Sequence, residues 1–461
     1  MKAFTEPLLS LAGFEEMTKT AEKSSGLISV TGCIDAQKSQ MIYAFGGHRK
    51  NKLIVTFGEQ KAKELYDEYS FFDKEVVYYP SKDVLFYQSD IRGNLLTAER
   101  IRALKAIREQ ERVTLVTTFD ALMNTMAPIE KMWENVLTLE QGQLLDLKEI
   151  QAALIRMGYE KEYQVQTMGQ FSVRGGILDV FPLTEENPIR IELWGDEIDT
   201  IRYFDCESQK SIENTDRVSI YPAAELVLSD EEKAGGIEKL KAEAKRVSDK
   251  LRKQMKTEEA HRVTVMADEL TEEWGELSMY AGMDAFLSYF FDERVGLLDY
   301  FNPSDSLIFF DELTRCAEQG KLTETEFSES MKQRLAMGYI LPGQMNGLFT
   351  EKEIVAKLEK YSCIALGALD NKANGLHQLG SYGIHCQSVS PYNNSFELLI
   401  KDLKRYKKNG YRVILLSGSR TRAKRLSEDI TDQGITCFYT ENYDHELFEG
   451  QIMVCYGKVR R

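Results

Sequence analysis

The stretch GLISVTGCIDAQKS, residues 26–39, decides how the rest of the chain reads. An apolar strand runs into Gly32. Lys38 and Ser39 then follow at the spacing of the phosphate-binding loop G-x-x-x-x-G-K-[ST]. One position departs, because the second glycine is Gln37. In a working loop, backbone N–H groups wrap the phosphates and the lysine adds a point charge. The second glycine lets the backbone approach with no side chain in the way. A positive φ at Gln37 would cost about 1–2 kcal/mol. Asp35 weighs more. A carboxylate ~4 Å from a phosphate charge, at an effective dielectric of ~20, is repelled by about 4 kcal/mol. That is roughly a thousandfold in affinity. The expectation is a phosphate-loop architecture whose chemistry is lost, with Gly32, Gln37, Lys38 and Ser39 marking a degenerate nucleotide site.

Strands and helices alternate on either side of this loop. GLISVTG, KLIVTFG, EVVYYPS and VTLVTTF read as short buried strands, each followed by a helical pattern. That order predicts a parallel sheet with crossover helices, a RecA-type unit over residues 23–128. Residues 1–22 read as one helix, with Leu8, Leu11, Phe14 and Met17 along a side. SLIFFDE, residues 306–312, is a buried strand ending in Asp311-Glu312, the form of a Walker B motif. It can join the same sheet only if the intervening chain is an insertion. An acidic end to a buried strand is the plainer reading of Asp311 and Glu312.

The texture between them supports an insertion. Residues 129–212 show a helix (LKEIQAALIRMGY) and alternating segments divided by turn residues, FSVRGGILDVFP, PIRIELWGDEI and TIRYFD. Residues 213–388 read as mainly helical and charge-rich, and with 1–22 make up the helical remainder of the first domain. Residues 389–461 read as a small α/β domain, with YRVILLS and QIMVCYG as strands and Gly410 as a helix C-cap. The chain stops abruptly after QIMVCYG, which suggests a piece of something longer. The predicted class is therefore α/β: a degenerate P-loop-type parallel sheet interrupted by a mixed α/β domain, plus a small C-terminal α/β domain.

Composition narrows the function. The 461 residues carry a net charge of −15, 43 % hydrophobic and 28 % charged residues, an ordinary globular balance for about three domains. An acidic chain is a poor general binder of nucleic acid. The basic run from Lys401 to Arg425 keeps a DNA-binding reading open beside the plainer one of a solvated helix face. Seven scattered cysteines without a CxxC pair read as reduced thiols. Five histidines offer no metal-ligand spacing, so no metal is expected. No apolar run reaches the roughly 18 residues of a membrane helix, and the N-terminus is not a signal peptide. A cytoplasmic protein without membrane contact is expected.

The strand Ile189–Trp194 alternates, so Ile189, Ile191 and Leu193 share one face and Arg190, Glu192 and Trp194 the other. Two readings are open. Arg190 and Trp194 form an exposed interface anchor, or Trp194 packs under a loop while Arg190 pairs with Glu192.

The run RGGILDVFP…PIRIELWGDEIDTIRYFDCESQKSIE, residues 174–213, resembles the second domain of the bacterial transcription-repair coupling factors (Mfd) and, more distantly, that of UvrB. YYPSKDVLFYQ, TAERIRALKAI and VTLVTTFDALM resemble the family's first domain, and NGYRVILLSGSRTRAKRL its third. UvrB keeps an intact phosphate loop and a long aromatic hairpin that clamps DNA. Here only SDIRGNLL separates the first two segments, so the resemblance favours the coupling factors. It implies an adaptor that recruits UvrA and helps restrain a DNA translocase motor through intramolecular contact. The motor, its ATP and magnesium, and the contacts with RNA polymerase and DNA would lie beyond Arg461. This part would be non-enzymatic and need no cofactor. The resemblance places Arg174, Arg190 and Trp194 on the UvrA-contacting positions, with Glu192, Asp196 and Arg202 as secondary candidates. Gly175 and Gly176 read as a turn.

Overall fold

The computed structural model describes residues 1–45, 49–83, 93–276, 282–369, 375–389, 392 and 395–457. Its framework is a seven-stranded sheet. The order is Gln378–Gly383, Gly26–Thr31, Ser362–Leu366, Ser306–Asp311, Asn51–Thr56, Val113–Thr118, Val77–Tyr79. Every pairing is parallel. Central strands such as Val113–Thr118 and Ser306–Asp311 are buried at every position. That is why they read as unbroken apolar runs without alternation. Two cores line the sheet, one on each face. Leu53, Leu115, Ile308 and Phe310 belong to one, and Ile54, Val116, Leu307 and Phe309 to the other.

Ser306–Asp311 pairs with Asn51–Thr56, so the Walker B-like strand does join the phosphate-loop sheet across an insertion. Three of the seven strands lie in the otherwise mainly helical segment 213–388, and the sequence reading marks only Ser306–Asp311 among them. Ser362–Leu366 is a five-residue strand, and Gln378–Gly383 is polar and glycine-rich, so neither carries a strong apolar signal. The N-terminal helix also needs correction. It is two helices, Lys2–Leu9 and Phe14–Lys23, broken at Gly13 (φ +82°), where the Tyr382 ring leaves no room for a side chain. Of the segment SDIRGNLL, whose shortness argues against a clamp hairpin, residues 89–92 lie outside the described residues and 93–96 begin the helix Gly93–Glu109.

The inserted domain is a six-stranded sheet. The order is Ser211–Thr215, Glu197–Phe204, Ile189–Trp194, Ile177–Val180, Gln170–Arg174, Glu160–Lys161. All pairs are antiparallel except the last. Two tight hairpins set its register. Gly175 (φ +60°) turns the chain between Arg174 and Ile177, and Gly195 (φ +65°) between Trp194 and Glu197. Both glycines take the left-handed conformation that two-residue hairpins demand. The inward face packs Leu178, Val180, Ile189, Ile191 and Ile201 against Leu154 and Met157, from the helix Leu147–Arg156 and its C-cap. Antiparallel strands Leu137–Glu140 and Arg217–Ile220 carry the chain in and out side by side.

Beyond the insertion, helices Asp230–Lys253 and Thr257–Glu276 form a hairpin around Leu240, Val263 and Trp274. A capping box of Ser229 and Glu232 starts the first helix. The last domain is a three-stranded parallel sheet of Val413–Ser417, Ile452–Tyr456 and Phe438–Tyr439, with helices Phe396–Lys408 and Arg420–Asp432. It seats on the N-terminal helix through Phe4, Phe72, Leu447, Met453 and Cys455. Among the described residues, no helix is long and apolar enough to cross a membrane. None forms a cluster that could hold a metal ion.

Candidate functional site

The phosphate-loop region comes together as its register predicts, but it is closed from within. The helix that follows the strand begins at Asp35, so Gln37, Lys38 and Ser39 are helical and the loop is only residues 32–34. Gly32 has φ +78°, and a Cβ there would stand 2.1 Å from the Ile384 carbonyl oxygen. Its glycine is required by this close backbone approach. The Gly32 and Cys33 amides donate to the carbonyls of Ala368 (3.2 Å) and Gly367 (3.1 Å). The Gln37 side chain accepts from the Cys386 thiol.

Lys38 is 1 % exposed, and three carboxylates hold its ammonium. Nζ lies 2.5 Å from Asp311, 2.8 Å from Asp35 and 3.2 Å from Glu312. Burial opposes the charge, but Asp311 and Asp35 outweigh it and hold the Lys38 pKa above the ordinary lysine value. The second oxygen of Asp311 accepts from Thr56 (2.8 Å), and that of Asp35 from Lys61 (2.9 Å). Burial would raise the Asp35 pKa, yet its bonds to Lys38 and Lys61 bring it down to about 2. Ser39 is buried with its hydroxyl unpartnered. These residues do not fit a magnesium-bound triphosphate. The lysine is fully paired, the Gly32 and Cys33 amides are already bonded, and three negative charges converge on the lysine.

On the inserted domain, two cations meet at one buried anion. Asp179, 1 % exposed, accepts from Arg190 Nε (2.7 Å) and Nη2 (2.8 Å) and from Arg174 Nη2 (3.0 Å). The Arg190 and Arg174 side chains remain 12 % and 37 % exposed. Arg190 also donates to Gln209 Oε1 (2.8 Å) and lies 4.3 Å over the Phe204 ring. Glu192 pairs with Arg202 (2.5 Å) and accepts from Thr200 (3.2 Å). The Arg202 bond, more than burial, sets its carboxyl below the usual range. Pairing of Arg190 with Glu192, one of the two sequence readings, is thus replaced by pairing with Asp179.

Trp194 stands at the tip of its hairpin, 84 % exposed, which excludes packing under a loop. It walls a groove of about 670 Å³ with Glu140, Glu197, Asp199 and Asp216. Asp196 lies in the adjoining turn, where its carbonyl accepts from Leu145. Gly175 does serve a turn. Sequence reasoning missed Asp179 and Gln209. The register places Asp179 directly opposite Arg190, a neighbour that spacing along one strand cannot reveal. The basic run of the last domain is partly spent on local pairs, Arg405 with Asp402 (2.9 Å) and Arg420 with Glu441 (3.6 Å).

A mostly antiparallel sheet with an open charged face is thus set into a phosphate-loop-type domain. Residues 137–226, from the ingoing strand to just past the outgoing one, match the UvrB interaction domain family. Over more of its length the chain is similar to transcription-repair coupling factors. It is 26 % identical to that of Bacillus subtilis over 88 % of the chain, and 25 % identical to that of Staphylococcus haemolyticus over 94 %. Identity to that of Staphylococcus aureus is 25 % over 97 % of the chain. The chain spans 34–37 % of the length of these relatives. Its similarity to these coupling factors thus runs over most of the chain, and the matched domain lies within it.

Proposed function

We propose that the chain is a non-enzymatic adaptor that recruits UvrA in transcription-coupled nucleotide excision repair. Arg174, Arg190 and Trp194 make the contact, with Glu192, Asp196 and Arg202 around them. The observation that carries this reading is Trp194, 84 % exposed at a hairpin tip, on the strand that carries the partly exposed Arg190 and in the same sheet as Arg174. Aromatic residues and arginines of this kind are the commonest interface hot spots. In the whole cytoplasmic protein, the module also restrains a DNA translocase motor by intramolecular contact. RNA polymerase, DNA, ATP and magnesium are handled by the rest of the protein.

A pull-down with purified UvrA tests the surface. Replacing Arg190 and Trp194 together by alanine should abolish capture, and unchanged capture would place the contact elsewhere. The reading also holds that no nucleotide binds at Lys38, since its charge is neutralised internally. Calorimetric titration with magnesium-ATP should give no heat of binding, and micromolar affinity would return the site to nucleotide chemistry.

A further inference from the structure

We propose that Asp179 is the positioning residue of the arginine face, with Gln209 as its second support. The inference rests on the reading that Arg174 and Arg190 meet the partner. Two guanidinium groups at a sheet surface repel each other. Here both donate to the same atom, Asp179 Oδ2, at 2.8 and 3.0 Å. One buried carboxylate therefore holds two like charges side by side.

Asp179 also orients Arg190. Its two oxygens take Nε and Nη2, the bidentate geometry that fixes a guanidinium plane. Phe204 supports that plane from one side. Gln209 Oε1 takes the other proton of Nη2. The Nη1 edge makes no hydrogen bond with any described residue and is the edge left for a partner. Gln209 is itself built for this place. It has φ +58°, a conformation non-glycine residues rarely adopt, and its side-chain amide donates to the Cys206 carbonyl (2.7 Å). Its backbone N–H donates to Asp205 (2.8 Å).

A binding cycle with purified UvrA tests this. Asp179→Asn should weaken affinity at least about ten-fold in the parent chain. In a chain already carrying Arg174→Ala and Arg190→Ala it should change affinity less than about two-fold, because it acts through the arginines. Trp194→Ala should keep its own effect in the Asp179→Asn chain, which shows the sheet intact. Gln209→Gly removes the support while suiting the positive φ. It should weaken binding about three-fold, by the loss of one hydrogen bond to a charged group, without lowering the melting temperature. Should Asp179→Asn not fold, the glycine variant decides alone. Equal weakening in both backgrounds, or parental affinity for Asp179→Asn and Gln209→Gly, overturns the positioning role and leaves the surface assignment standing. Parental affinity for the double-arginine variant overturns the surface assignment itself.

Discussion

Two ionic clusters organise this molecule, and they are opposites. Around Lys38, one cation faces three carboxylates and is sealed. Around Asp179, one sealed carboxylate faces two cations that reach the solvent. The lysine of the first cluster has no donor left for a ligand. The second has donors to spare. The lysine of the phosphate-loop register is thus spent internally, while the arginines of the inserted domain keep part of their surface open to solvent.

The comparison breaks first at Lys38. Lys38→Ala would strand Asp311, which is buried on a central strand. Removing one member of a buried pair costs about 3–5 kcal/mol, so urea unfolding should show a large loss in the first domain. A loss below about 1 kcal/mol would mean that the carboxylates do not depend on the lysine. Next comes Arg190→Ala with Trp194→Ala. Hot-spot pairs of this type are worth about 2 kcal/mol or more in binding, and surface plasmon resonance with UvrA should register that loss. The pairing of Asp35 is smaller. Its folded pKa of about 2 lies below the ordinary 3.8. Its contribution is present above the ordinary value and fades as pH falls through the folded one. Because Asp35 is 62 % exposed, screening keeps the effect under about 1 kcal/mol. Acid titration of the urea midpoint should be flatter for Asp35→Asn than for the parent. Smallest of all, Trp194→Ala alone should move stability by no more than about 0.5 kcal/mol, since its ring is exposed. A larger drop in melting temperature would mark it as a packing residue.

Much of this was legible in the sequence, because the signals were local. The strand ahead of Gly32, the alternation of Ile189–Trp194 and the acidic end of SLIFFDE each depend on periods of a few residues. The same locality explains what was hidden. Asp179 meets Arg190 through the register of two strands, while the sequence offered Glu192 as the nearer acid. Asp311 meets Lys38 from across the insertion. Gln378–Gly383 escapes the apolar-run signal because it is an edge strand, half open to solvent, with Gln378, Gly380, Ser381 and Gly383 as four of its six residues. The early start of the helix at Asp35 follows from Gln37. Without the second glycine, the chain has no reason to stay looped before Lys38.

The insertion has a consequence for synthesis. The strands Gly26–Thr31 and Asn51–Thr56 emerge early, yet among the described residues Gly26–Thr31 pairs only with Ser362–Leu366 and Gln378–Gly383. At roughly 5–20 residues per second, the ribosome needs on the order of 10–50 s between Thr56 and Ser306. Through that interval the inserted sheet can close on itself, since its two ends leave side by side. The parent sheet cannot. The nascent chain therefore carries a finished inserted domain on an unfinished platform whose strand edges stay open.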